Sequence, residues 1–81
     1  MKDKIIGSAG KIWNLLGDKG LVAVSQLPDL LDEKGEVTYQ ALGWLAREDK
    51  IEYVRKGLRM CVQLVEAEQQ AYKFCKESSL V

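Results

Sequence analysis

The pattern of apolar and polar residues from Val37 to Ile51 predicts a helix that runs directly into a strand. At about 100° per residue, the apolar side chains of this helix fall on one side, widened by Thr38 and Leu42: Val37, Ala41, Trp44 and Leu45. That side must be buried. The opposite side is short or polar: Glu36, Tyr39, Gln40, Gly43 and Arg47. A helix with such an outer face can lie in a nucleic-acid groove.

A first helix is predicted over residues 3–16, where apolar side chains recur at helical spacing: Ile5, Ile6, Ala9, Ile12, Trp13 and Leu16. Gly7 and Gly10 lie mostly on its back, where each costs about 0.5 to 1 kcal/mol relative to alanine. We therefore expect another segment, the last helix, to approach the backbone closely at these glycines. Leu15 points away from the apolar stripe.

The segment between these two helices predicts a short strand over 21–24 and a second helix over 26–32. Leu27, Leu30 and Leu31 give that second helix an inner face at helical spacing. The connection 33–35 is short and contains a glycine, as expected between the two helices of a helix-turn-helix. The third helix then spans 36–49.

Two strands are predicted over 51–55 and 58–65, joined by a two-residue Lys56-Gly57 turn. This turn pairs Ile51 with Val62 and Tyr53 with Met60. The resulting hairpin has an apolar face and a mostly polar face, and Cys61 falls on the latter. A fourth helix over 66–78 has a thin apolar stripe with Tyr72 at its margin: Ala67, Ala71, Phe74 and Cys75. We expect Cys75 to be a core residue.

The run from Ala41 to Ile51, with Ile6-Gly7 and the run from Ala9 to Trp13, resembles a family of small bacterial and archaeal winged helix-turn-helix domains of unknown function. The most specific part is Gly-Trp-Leu-Ala-Arg-Glu at 43–48. The resemblance implies an α+β winged helix-turn-helix, in the order α-β-α-α-β-β-α with a small antiparallel sheet, as a single domain over 1–81. DNA binding is attributed to such domains by analogy of fold.

The balance of charged residues indicates whether DNA is a suitable partner. Twelve Lys and Arg residues balance twelve Asp and Glu residues, whereas dedicated nucleic-acid binders usually carry a basic excess. Charge therefore argues against DNA. The chain has no apolar run long enough for a signal peptide or membrane span, and its two cysteines fit reduced thiols, so we expect a cytoplasmic protein.

No enzymatic chemistry is evident in the sequence. Histidine is absent, the two cysteines do not form a C-x-x-C motif, and no nucleophile motif or glycine-rich phosphate loop occurs. We therefore expect neither a catalytic site nor a metal, cofactor or small-molecule ligand.

The candidate DNA contacts lie on the third helix and on the hairpin, or wing: Thr38, Tyr39, Gln40, Gly43, Arg47, Arg55, Lys56 and Arg59. Residues 50–60 contain four cations, counting Lys50, against the single acid Glu52, an excess of three. Such a wing can grip phosphates. The alternatives are a solvated helix face and a hairpin charged for solubility. Four acids also crowd the junction of helices 2 and 3: Asp29, Asp32, Glu33 and Glu36.

A second class of function is protein interaction without nucleic acid. Neutral charge, small size, the outlying Leu15 and the thin stripe of the last helix all fit a homodimer or an adaptor. Helices 1 and 4 would then form the dimer contact. The alternative is a monomer in which helix 4 covers helix 1 and the hairpin.

Overall fold

The computed structural model describes the backbone of residues 2–79 and the side chains of residues 3–77. Its elements follow the predicted order: α1 (Lys2–Lys19), β1 (Val22–Ala23), a 3-10 turn (Val24–Gln26), α2 (Leu27–Leu31), α3 (Gly35–Arg47), β2 (Ile51–Lys56), β3 (Arg59–Leu64) and α4 (Glu66–Ser79). The strands form one antiparallel sheet in the order β1-β3-β2. This is the predicted winged helix-turn-helix.

The core lies where α1 and α3 pack together over the sheet. Its largest fully buried apolar side chains come from four elements: Ile12, Leu16, Leu27, Leu45, Val62 and Leu64. α1 and α3 form the most extensive helix pair. Because α3 turns its apolar stripe to this core, its opposite side is left at the surface. α1 does the same except at Ile6, which is 48% exposed. None of the helices in the described part of the chain has the length and apolarity that a bilayer crossing requires.

The two helices of the helix-turn-helix end in the same way. After α2, Asp32 has φ 54° and the Glu33 amide donates to the Pro28 carbonyl at 3.0 Å. After α3, Asp49 has φ 57° and the Lys50 amide donates to the Leu45 carbonyl at 3.0 Å. Both are Schellman endings with an aspartate in the left-handed position, which Asp tolerates better than most residues. They fix where the chain leaves each helix.

The hairpin has the predicted faces but a different register. Ile51 pairs with Leu64 and Tyr53 with Val62, so the strands are shifted by two residues and the turn is Gly57-Leu58. The predicted Lys56-Gly57 turn was wrong because it requires a positive φ at a lysine. In the structure Gly57 takes that conformation, with φ 62°, at the first central position, as in a type II′ turn. A shift of two preserves which side chains share a face.

α4 reaches the core through Tyr72, which is 9% exposed and packs edge-on against Trp13 with ring centroids 5.4 Å apart. A Cβ at Gly17 would overlap the Tyr72 ring, whereas a Cβ at Gly7 or Gly10 would meet nothing within 4 Å. The expected close approach of the last helix to a glycine of α1 therefore exists, but at Gly17. The assignment to Gly7 and Gly10 was wrong.

Candidate nucleic-acid interface

The outer face of α3 is open to solvent. Four of its predicted contact residues are exposed: Tyr39, Gln40, Gly43 and Arg47. No side chain of the described residues fills the space at Gly43, since a Cβ there would meet nothing within 4 Å. From Gln40 to Arg47 the face extends about 10 Å along the helix axis. It can therefore contact a flat or grooved partner without rearrangement of the fold.

Thr38 is not part of this face. Its side chain is completely buried, and Oγ1 donates to the Lys34 carbonyl at 3.1 Å. The sequence placed Thr38 both at the edge of the apolar stripe and among the DNA contacts, and the second assignment was wrong. Because its neighbours Ala41 and Leu42 are buried, the helix turns Thr38 inward, where its hydroxyl is satisfied by the preceding turn.

Trp44 is half-buried and packs against the core, as its position on the apolar side predicts. The ammonium of Lys50 lies 5.8 Å from the centroid of the Trp44 ring, a cation–π contact at the base of the hairpin. Lys50 is therefore engaged by the protein itself. Of the four cations counted in the sequence, the exposed ones on the wing are Arg55, Lys56 and Arg59.

These three cations are split between the two faces of the hairpin. Lys56 and Arg59 are directly opposite each other across the strands, while Arg55 pairs with Met60 on the other face. A charge count along the sequence cannot show this division. The shifted turn also places Leu58 at the wing tip, where it is fully exposed. Sequence reasoning missed this residue, although the position of Gly57 could have indicated it.

The acidic junction is partly neutralised by α1. Glu33 accepts hydrogen bonds from the buried Ser8 hydroxyl and from the Lys11 ammonium, the latter at 3.0 Å. These hydrogen bonds, that of Ser8 foremost, hold the pKa of the Glu33 carboxyl below its usual range. Glu33 thus ties the turn of the helix-turn-helix to α1. The other three acids of the junction stay exposed: Asp29, Asp32 and Glu36.

The apolar stripe of α4 faces solvent. Phe74 is 70% exposed, and the rest of the stripe is exposed too: Ala67, Ala71 and Cys75. The expectation that Cys75 is a core residue was therefore wrong, whereas Cys61 is buried beside its strand partner Ala23. Leu15, predicted to lie off the apolar stripe, is half-buried against the core. α4 contacts α1 and β3, but with its other side.

Comparison with solved structures gives the same fold. A double mutant of ZitR from Lactococcus lactis superposes with a TM-score of 0.78 at 16% identity, covering 88% of this chain and 50% of that one. HlyU from Vibrio vulnificus, a transcriptional regulator, gives a TM-score of 0.72 at 18% identity, covering 85% and 72%. The chain thus spans half the length of the ZitR chain. At these identities the likeness shows the fold.

Comparison of sequences is more specific. An uncharacterized protein of the archaeon Methanocaldococcus jannaschii is 37% identical over 67 residues, covering 79% of this chain and 94% of that protein. A family model described as Winged helix-turn-helix domain (DUF2582) matches residues 1–64, up to the end of β3. α4 follows the matched part. The chain belongs to this family, the winged helix-turn-helix domains DUF2582.

Proposed function

We propose that this protein binds duplex DNA through the outer face of α3 and through the wing. The observation that carries the proposal is the contrast between the two sides of α3: its apolar side is packed into the core, while its polar side is uncovered. HlyU is described as a transcriptional regulator, and MepR of Staphylococcus aureus, with a TM-score of 0.61, as a transcription regulator of a multidrug efflux pump. Both likenesses support the proposal.

The α3 side chains suit contacts in the major groove. The amide of Gln40 can pair with the edge of an adenine, and the guanidinium of Arg47 can contact a phosphate or a guanine. The hydroxyl of Tyr39 can donate a hydrogen bond to a phosphate. Gly43 lets the DNA backbone approach the helix closely, since no side chain among the described residues stands in the way.

The wing would hold phosphates beside the groove that α3 occupies. Lys56 and Arg59 on one face of the hairpin and Arg55 on the other supply the charge, so the wing would straddle the DNA backbone. The exposed Leu58 at the tip can pack against the sugars of the minor groove. Because the formal net charge of the whole chain is zero and exposed acids remain at both ends of α3, among them Glu36, Glu48 and Asp49, we expect weak binding. With about three or four phosphate contacts, the logarithmic salt slope should be roughly −3 to −4.

The test is a titration of a fluorescent duplex at several salt concentrations, followed by anisotropy. Arg47→Gln, Arg55→Gln and Arg59→Gln should each weaken binding to all sequences and reduce the salt slope by about one. Lys73→Gln is the matched control, since Lys73 is an exposed cation on α4, and it should bind like the parent protein. Absence of any anisotropy change at low salt would exclude the proposal and favour a protein-binding role for the winged fold.

A second proposal is a homodimer in which α4 of two copies pack side by side. The supporting observation is the exposed stripe of α4, with the bulky Phe74 one turn from the small Ala71. In an antiparallel pair, Phe74 of each copy can lie over Ala71 of its partner. α4 is about 21 Å long, too short to bury about 800 Å² per partner alone, so we expect α1 to contribute and the dimer to be weak.

Sedimentation equilibrium tests this dimer. Phe74→Asp should leave a monomer at concentrations where the parent protein is dimeric. Leu58→Asp is the control, because it places the same charge at another exposed apolar position outside α4. If the parent protein stays monomeric at every concentration, or if both variants dissociate equally, the α4 dimer is excluded.

A further inference from the structure

A cleft of about 450 Å³ lies where β1 and α2 meet the wing. Its floor consists of buried residues: Val22, Ala23 and Cys61. Leu21 and Leu30 line its sides and remain 36% and 46% exposed, so the prediction that Leu30 belongs to the inner face of α2 was wrong. Large aliphatic side chains left open to water in a concave surface favour an apolar occupant, because covering them is worth about 25 cal/mol per Å².

Three cations surround this apolar surface. Lys19 comes from the last turn of α1, and Lys56 and Arg59 come from opposite strands of the wing. No carboxylate lines the cleft among the described residues, and none of these three cations forms an ion pair with a described side chain. Lys56 and Arg59 repel each other, since like charges directly opposite on a hairpin are destabilising. An anion placed between them would relieve that repulsion.

A second cleft differs from the cleft beside the wing in the charges that line it. It has a volume of about 510 Å³ and lies between α1 and the turn of the helix-turn-helix. Three lysines and three acids line it, and one of these lysines, Lys11, is paired with Glu33 at 3.0 Å. That cleft therefore balances its own charge. The cleft beside the wing has charge of one sign together with an apolar floor.

We propose that the cleft beside the wing binds a small amphipathic anion, a carboxylate carried on an aliphatic or aromatic body. The body would cover Leu21 and Leu30, and the carboxylate would accept hydrogen bonds from Arg59 and from a neighbouring lysine. The planar guanidinium of Arg59 can bind both carboxylate oxygens at once. The volume lies within the range of about 300 to 1,000 Å³ that is common for small-molecule sites.

This site goes beyond the proposed DNA contact but shares two residues with it. A carboxylate bound to Lys56 and Arg59 would withdraw both cations from phosphates. The bound anion would therefore oppose duplex binding. Anion binding itself is measured without DNA, so it can be decided separately from the proposed function.

Octanoate is the probe, and octan-1-ol is its neutral counterpart. In the 15N-labelled protein, octanoate should cause saturable shifts of the amide signals of Ala23, Cys61 and Arg59, with a dissociation constant on the order of 1 mM or below. Octan-1-ol should bind at least about tenfold more weakly, because it cannot engage the cations. Absence of saturable shifts at these amides, or equal binding of acid and alcohol, would overturn the proposal.

Charge variants identify the site. Arg59→Gln and Lys19→Gln should each weaken octanoate binding about fivefold to tenfold. Lys73→Gln on α4 should leave it unchanged. If Arg59→Gln and Lys19→Gln also leave it unchanged, the anion does not bind in this cleft.

The duplex titration then tests the shared cations. Saturating octanoate should lower duplex affinity several-fold in the parent protein, and octan-1-ol should not. Unchanged affinity would contradict the shared use of Lys56 and Arg59. If the protein binds octanoate in the cleft but does not bind the duplex, the anion site stands and the proposed DNA binding is overturned.

Discussion

α3 and α4 are amphipathic to a similar degree, yet they use their apolar sides in opposite ways. α3 buries Ala41, Leu42 and Leu45 and exposes polar residues. α4 exposes Phe74 and, among its described large side chains, buries only Tyr72. Helical periodicity states which side of a helix is apolar. It does not state whether the same chain supplies the surface that covers that side.

The attachment of α4 explains the difference. On the side facing the rest of the domain, Glu68 accepts a hydrogen bond from the Trp13 indole at 3.0 Å, and the side-chain amide of Gln69 donates to the Leu64 carbonyl at 2.7 Å. α4 is therefore held by polar groups and one tyrosine ring. α3, in contrast, is held by a broad apolar contact with α1 and the sheet.

The sharpest test of this comparison removes a large side chain from each apolar stripe. Leu45→Ala on α3 should lower the free energy of unfolding by about 2 to 5 kcal/mol, because it leaves a cavity in the core. Phe74→Ala on α4 should change it by no more than about 0.5 kcal/mol at concentrations where the chain is monomeric. Urea denaturation measures both. Similar losses would mean that the α4 stripe is buried and that the comparison fails.

The packing of α4 against α1 can be disrupted by a substitution in α1. Gly17→Ala should destabilise the protein by about 1 to 3 kcal/mol, because the new methyl group meets the Tyr72 ring. Gly10→Ala, in the same helix but with open space around it, should stabilise the protein by about 0.5 to 1 kcal/mol. Thermal unfolding of the two variants gives opposite signs if Tyr72 holds α4 against Gly17. Stabilisation in both would contradict this packing.

The attachment of the turn before α3 to α1 depends on the hydrogen bonds that Glu33 accepts. Glu33→Gln should cost about 1 to 2 kcal/mol at neutral pH, since Ser8 and Lys11 lose a charged acceptor. The pKa of Glu33 is lowered from its ordinary value of 4.5, so this stabilisation is complete above that value and is lost as the pH falls through the lower pKa of the folded state. Urea denaturation across this pH range should show the two proteins converging in acid. Glu36→Gln, at an exposed acid nearby, is the control and should change the free energy of unfolding at neutral pH by no more than about 0.5 kcal/mol.

The smallest expected effect concerns the outer face of α3. Gly43→Ala should raise the free energy of unfolding by about 0.5 to 1 kcal/mol, because the helix gains propensity and the methyl group meets nothing. If DNA approaches the backbone here, the same variant should bind the duplex more weakly. Gly10→Ala is the control, with the same gain in stability and unchanged DNA binding. Equal duplex affinity for the two variants would show that Gly43 is not a contact.

Much of the fold could be predicted because it depends on local periodicity. The stripe of α3 and the faces of the hairpin follow from spacings of 3.6 and 2 residues, and the shifted register preserved those faces. The turn itself was harder. The register of the hairpin depended on whether Gly57 occupies the first or the second central position of the turn. The alternation of side chains along the strands is the same in both cases and does not distinguish them.

The candidate site was predictable only where exposure follows from the helix stripe. Gln40 and Arg47 lie well away from it and are exposed, whereas Thr38 lies at its margin and is buried. Lys50 was counted with the wing because the sequence does not show its position over the Trp44 ring. The unpaired side of α4 was also beyond sequence reasoning, because burial there depends on tertiary contacts.

The position of Trp13 between Tyr72 and Glu68 supplies an optical signal for the state of α4. If α4 swings away from α1, the indole loses both neighbours and becomes hydrated, which shifts its fluorescence emission to longer wavelength. Replacing Trp44 with phenylalanine would leave Trp13 as the single tryptophan, whose emission can be excited selectively over that of the three tyrosines. Movement of this helix can then be followed in time without attaching any dye.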